Sequence, residues 1–170
     1  MKKVIVLSVV LFASVIAVSA QPRAIGVRGG YGIEASYQHG FGEKNMLQLD
    51  AGMPAFRGLH LIGTYNWVFP ISSWKHAGSW NWYVGGGAGV GFHWYHYGWG
   101  LGSYISGLAG LAVMGGVEYN FKFPLQLSVD YRPLIGIGFS KNEYYKNNNV
   151  WFYTNGLYCG AIAVSARYKF

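Results

Sequence analysis

The chain has 170 residues and a formal charge of +7, yet only 11% of its residues are charged, against 52% apolar and 18% aromatic. Soluble domains carry about 25% charged residues, so there is too little charge here to coat a water-exposed surface, and the basic residues are not gathered into the runs of a nucleic-acid surface. Beyond the first twenty residues nothing approaches the roughly 20 uninterrupted apolar residues of a membrane-spanning helix, which sets aside a helical membrane protein.

Residues 1–20 read as a cleavable signal peptide. Lys2 and Lys3 form its positive start, residues 4–18 its apolar stretch, and Val18-Ser19-Ala20 places small or modest side chains before a cut at Gln21. An anchor helix is the alternative, but about 15 apolar residues fall short of a span and no stop-transfer cluster of charges follows. Cleavage leaves one domain over residues 21–170, with the charge lowered to +5 by the loss of Lys2 and Lys3. Cys159 is the sole cysteine and lies far from the cut, so neither an intrachain disulfide nor a lipid-attachment cysteine is expected.

The remaining sequence reads as eight alternating strands, at 25–31, 33–39, 45–53, 59–69, 82–94, 108–121, 125–139 and 158–170. In the third, Leu47, Leu49, Ala51 and Met53 oppose Met46, Gln48 and Asp50. In the sixth, Val113, Val117, Tyr119 and Phe121 oppose Met114, Glu118 and Asn120. In the seventh, Leu125, Leu127, Val129 and Tyr131 oppose Gln126, Ser128, Asp130 and Arg132. The last strand sets Ile162, Val164, Ala166, Tyr168 and Phe170 against Ala161, Ala163, Ser165, Arg167 and Lys169.

Alternation alone does not say which face is inside, because a water-soluble barrel alternates too. The polar face here is mostly small, which suits a narrow interior, whereas the apolar face is bulky and bounded by rings such as Tyr65, Trp67, Phe69 and Trp82, as in the aromatic girdles of a bilayer-spanning barrel. Strands cross hydrocarbon only when every backbone group is paired, which a closed barrel achieves. The expected fold is therefore all-β, an eight-stranded antiparallel up-and-down transmembrane β-barrel with the polar face inward. Eight strands enclose room only for side chains, so Arg28, Glu34, Asp50, Glu118, Asp130, Arg132, Arg167 and Lys169 should form a lumen charge network, four acids pairing locally with four bases. Because it preserves lumen neutrality, exchanging Asp130 and Arg132 should be tolerated far better than a charge on the apolar face, as in Val129→Arg. With both ends of the domain in the periplasm, the long inserts "HYGWGLGSYISG" and "SKNEYYKNNNVWFYTNG" fall outside as loops. The connection "PISSWKHAGSW" is long for an inner turn.

The pattern Val164, Ala166, Tyr168 and Phe170 resembles the assembly signal of bacterial outer-membrane barrels, a final aromatic residue with apolar residues two, four and six places before it. With "LSVDYRPLIG" and "WYVGGGAGVG", the domain resembles a small outer-membrane β-barrel of the OmpX-like class. The resemblance implies an outer-membrane location, recognition of the last strand by the barrel-assembly machinery, contact with outer-membrane lipids, and a monomer whose outer loops meet an extracellular ligand.

Three motifs suggest other chemistry. "GGGAGVG" lacks the Gly-Lys-Ser/Thr of a phosphate loop and suits curvature in a tight barrel instead. His93 and His96 fall on opposite faces of a strand with no acid nearby, which fits an aromatic belt better than a metal site. Small barrels resembling PagP and PagL move or remove acyl chains on outer-leaflet lipid, which requires a His, a Ser and an acid at the outer rim. His93, His96, Ser103, Ser106 and Ser140 are the candidates, with Glu143 as the only loop acid nearby, but no Asp-Ser pair or His-x-Ser triplet occurs. The sequence thus points to a non-enzymatic barrel without cofactor or metal, with structural or surface-interaction duties, ahead of a lipid acyltransferase or deacylase and ahead of a pore.

Overall fold

The computed structural model describes residues 23–42, 44–56, 58–74, 77–96, 103–142, 147–155 and 161–170. Residues 1–20, read from sequence as a signal peptide, lie outside the described residues with Cys159 and Glu143, as do the side chains of His96 and Ser103. Ten strand segments follow in chain order: β1 (Arg23–Gly29), β2 (Gly32–Phe41), β3 (Asn45–Pro54), β4 (Gly58–Pro70), β5 (Ser79–His96), β6 (Ser103–Asn120), β7 (Leu125–Tyr131), β8 (Leu134–Asn142), β9 (Asn147–Asn155) and β10 (Ile162–Lys169). All pairings are antiparallel, and β1 to β7 with β10 close into an eight-stranded barrel, as the alternation predicts.

Followed along the hydrogen-bonding direction, a row of residues leaves β6 at Leu108. It passes Gly91, His60, Gly52, Glu34, Arg28, Ser165 and Ser128 and returns to β6 at Glu118, ten residues from its start. A stagger of this size in a small barrel accompanies strands tilted by about 35–45°. At the near end, which carries the termini of the described barrel, the Phe170 N–H donates to the Arg23 carbonyl at 2.9 Å and the Arg23 N–H to the Phe170 carbonyl at 3.3 Å, closing the seam.

The long connection at the near end has a simple resolution. Pro70 belongs to β4, while Ser79 and Trp80 belong to β5. The Ile71 N–H extends the ladder to the Trp80 carbonyl at 2.8 Å. Trp80 then packs edge-on against Trp74 at 5.0 Å and tilted against Tyr119 at 4.7 Å, so this end of β5 is fastened by rings.

The walls at the far end differ in height. The β3–β4 turn is tight, with Ala55 and Phe56 both in the left-handed region at φ 50° and 56°. Gly58 at the start of β4 faces His93, so β5 and β6 run on beyond the short side. β7 and β8 are two lengths of one strand parted at Arg132-Pro133. The register against β6 continues through the break, with Tyr131 opposite Gly115 and Leu134 opposite Ala112. Proline lacks an N–H and suits such a break, and its carbonyl still accepts from Val113.

The last strand corrects the sequence reading, which placed one strand at 158–170 behind a loop. Residues Asn147–Asn155 pair with β8, and Asn155 lies opposite Leu134. Ile162 of β10 lies opposite Tyr131 of β7, so in place of one strand behind a loop there are two segments, one on β8 and one on β7. The Asn-rich start of β9 carries a turn signal, and pairing with β8 overrides it, as context does for β propensity in general.

The interior is polar and the exterior apolar. Among the described residues the buried set holds seventeen polar or charged side chains against ten apolar ones, and the exposed set includes rows such as Ile25 and Val27, Leu127 and Val129, and Ile162 and Val164. Two apolar clusters also sit inside, Met46 with Tyr83 and Met114, and Ile62 with Leu108, Ala112 and Leu134. The Gly-rich run 85–91 lies within β5, with alternate residues turned inward.

Candidate functional site

Five of the eight residues expected in the lumen converge on one another. Arg28 on β1 donates from Nε to Asp130 Oδ1 at 2.9 Å and from Nη1 to Glu34 Oε2 at 3.1 Å. Arg132, at the break after β7, donates from Nη2 to both oxygens of Glu34 at 2.8 Å and from Nη1 to Asp50. All five are buried. Buried charges persist only when paired and hydrogen-bonded, and here the partners reach across the lumen from β1 to β7 and from the break to β2 and β3. A sixth member was missed. His60 on β4 places Nε2 2.9 Å from Glu34 Oε1, and its even position among the inward Ile62, Thr64 and Asn66 was the signal that marks it as interior.

The other three expected members do not pair with opposite charge. Arg167 is fully buried but donates to the hydroxyls of Ser36, Ser128 and Ser165 and to the Gln126 carbonyl oxygen. Glu118 accepts from the amides of Asn81, Asn120 and Gln126 at 2.9–3.0 Å. Lys169 is half-buried near the barrel mouth, where Nζ donates to the Phe121 carbonyl at 3.3 Å. Neutral groups satisfy these charges because the tilted strands bring serine and amide rows, not acids, to their level.

The four residues of the C-terminal pattern all face outward. Val164, Tyr168 and Phe170 are more than half exposed, and Ala166 is exposed between them. Of the histidine and serine candidates, the register places Ser106 opposite both His93 and Ser140 on the inward face. His93 thus leaves the outward aromatic belt assigned to it by its neighbours, and its ring lies edge-on to Tyr153 at 6.3 Å. Glu34, one inward row away, is already held by Arg28, Arg132 and His60.

The cavity above the ion pairs measures about 30 Å³ and is bordered by Arg28, Tyr31, Glu34, His60, Arg132 and Tyr153. That is room for a water. Among the described residues no group of three His, Cys, Asp or Glu is placed to hold a metal ion. Among the described residues the lumen is packed with side chains, ion pairs toward the far end and hydrogen-bonded amides toward the near end.

The fold and its interior define a closed eight-stranded antiparallel barrel with a filled polar lumen inside an apolar wall. The chain matches no protein family, no curated protein and no solved structure.

Proposed function

We propose that this protein is a non-enzymatic integral outer-membrane β-barrel that acts structurally and through contacts made by its far-end hairpins. The observation that carries this reading is the inverted burial. A ring of exposed Ile, Leu, Val and aromatic side chains around a buried ion-paired interior is unfavourable in water and favourable in hydrocarbon. Rings gather at the near end, where Phe69 stacks on Trp82 at 4.4 Å and Tyr65 meets Trp67 edge-on, and at the far end, where Phe92 meets Trp94. These are the positions of interfacial girdles. Purified from outer membranes, the protein should change gel mobility on boiling in detergent, and recovery as a soluble periplasmic protein would overturn the reading.

The surface role rests on β9. It pairs with β8 on one side and with no described strand on the other, and Val150 and Phe152 on it are 70% and 71% exposed. Unpaired strand edges accept extended segments of other proteins. Charging the edge with Val150→Lys and Phe152→Lys should abolish surface binding by cells carrying the protein while leaving the amount of folded barrel unchanged. Unchanged binding counts against the edge.

A second reading, outer-leaflet lipid acyl transfer or deacylation, draws on the inward row His93, Ser106 and Ser140. Comparing lipid acylation in cells with the wild type and with Ser106→Ala separates the two readings. A Ser106-dependent change in acyl pattern selects the enzyme.

A further inference from the structure

One band of the outward face is concave. Its upper wall is the row Ile33, Met53, Leu59, Phe92 and Phe139, and its floor includes the outward Ala35, Ala51 and Ala109 in the next row toward the near end. Together they border an apolar groove of about 710 Å³ that crosses strands β2 to β6 and β8.

The other face of the same strands carries glycine here. Between the two outward rows the inward positions include Gly52 on β3 and Gly91 on β5. A Cβ at Gly52 would stand 2.7 Å from Glu34 Cγ, and one at Gly91 2.9 Å from His60 Cβ, both closer than real side chains approach. No side chain stands behind the groove at those two positions, and on its outer side the small Ala35, Ala51 and Ala109 leave space on either flank of Leu61 and Val90, which share their row and also border the groove.

The chemistry of the groove selects its occupant. Water gains no hydrogen bonds from an apolar lining. A polypeptide laid there would bring backbone N–H and C=O groups that must be paired, yet every strand beneath the groove is already paired on both sides. An acyl chain has no such groups. The groove is also continuous with the apolar wall, since its floor row runs on to Val27 at one end and Ile137 at the other, both about half exposed.

We propose that this groove retains an acyl chain of an outer-leaflet lipid as a bound ligand, distinct from the exchanging lipid around the rest of the barrel. The proposal rests on the outer-membrane reading above. The test uses the full protein extracted from outer membranes in mild detergent, with native mass spectrometry counting retained lipid. Ala51→Trp fills the floor, and Val129→Trp places a ring on the outward face of β7, away from the groove. The wild type and Val129→Trp should carry a lipid adduct, and in Ala51→Trp its occupancy should fall about tenfold. Equal retention in Ala51→Trp, equal loss in Val129→Trp, or an adduct with the mass of a free fatty acid overturns the proposal. If Ala51→Trp does not fold, Ala35→Phe, at the position facing Ala51 across the ladder, gives the same reading. Boiling-dependent gel mobility of the three proteins separates the two ideas. A wild type outside the membrane removes the outer-membrane reading, whereas membrane-embedded barrels with retention indifferent to Ala51→Trp remove only the groove.

Discussion

Arg132→Leu should destabilise the barrel severely, and the structure says where the loss falls. Glu34 loses two bonds from Arg132 but keeps Arg28 at 3.1 Å and His60 at 2.9 Å. Asp50 is left with only Gln48, whose Nε2 donates at 2.7 Å, and its Oδ1 has no partner. A fully buried carboxylate is thereby stripped of its cation, which costs about 3–5 kcal/mol, whereas the intact pair adds far less than that to stability over an apolar substitute. The cost arises from the abandoned charge, so neutralising that charge should restore much of it. Asp50→Asn in the Arg132→Leu background is expected to recover more than Glu34→Gln in the same background. Urea unfolding of the reconstituted barrel, followed by tryptophan fluorescence, measures all three. A loss below about 1 kcal/mol for Arg132→Leu, or a larger recovery from Glu34→Gln, would refute this account of the network.

Val129→Arg places a charge on the outward wall between Val117 and Val164 and should cost about 2–4 kcal/mol near the midplane, read by the same unfolding assay. The exchange Asp130→Arg with Arg132→Asp keeps the lumen neutral, but it sets a cation beside Arg28 and an acid beside Glu34 and Asp50, so it should cost at least as much as Val129→Arg, and a mild effect would mean that the pairings are misassigned. Deleting Phe170 removes the reciprocal bonds to Arg23 that close the seam and should lower the fraction of barrel with boiling-dependent mobility, while normal yield would count against that role. Planar bilayers containing the protein should show no steady conductance, because Met46, Tyr83, Met114 and the ion pairs fill the lumen, and a stable open current would contradict the plug.

The sequence by itself determined the two faces of the wall. Side chains alternate with period two along any strand, so Asp50 and Gln48, or Val164 and Tyr168, declare their sides without reference to a partner. The same parity places His60 inside, although the charge inventory of acids, arginines and lysine passed over it. Barrel closure followed too, since eight such strands leave no other way to pair every backbone group. Partner choice was a different matter. Arg28 meets Asp130 across 102 positions of sequence, and Arg132 meets Asp50 across 82, because the ten-residue stagger sets which rows share a level in the lumen. No count of acids and bases contains that stagger, and this is why neutrality alone misjudges the exchange of Asp130 and Arg132. The divided last strand and the hollow in the outer wall belong to the same class. Asn147–Asn155 becomes a strand because β8 offers an edge, and Gly52 and Gly91 behind the groove carry no side chain because Glu34 and His60, their partners on the neighbouring strands, leave no room for a Cβ. Local pattern decides which way a residue faces, and only the packed barrel decides what it faces.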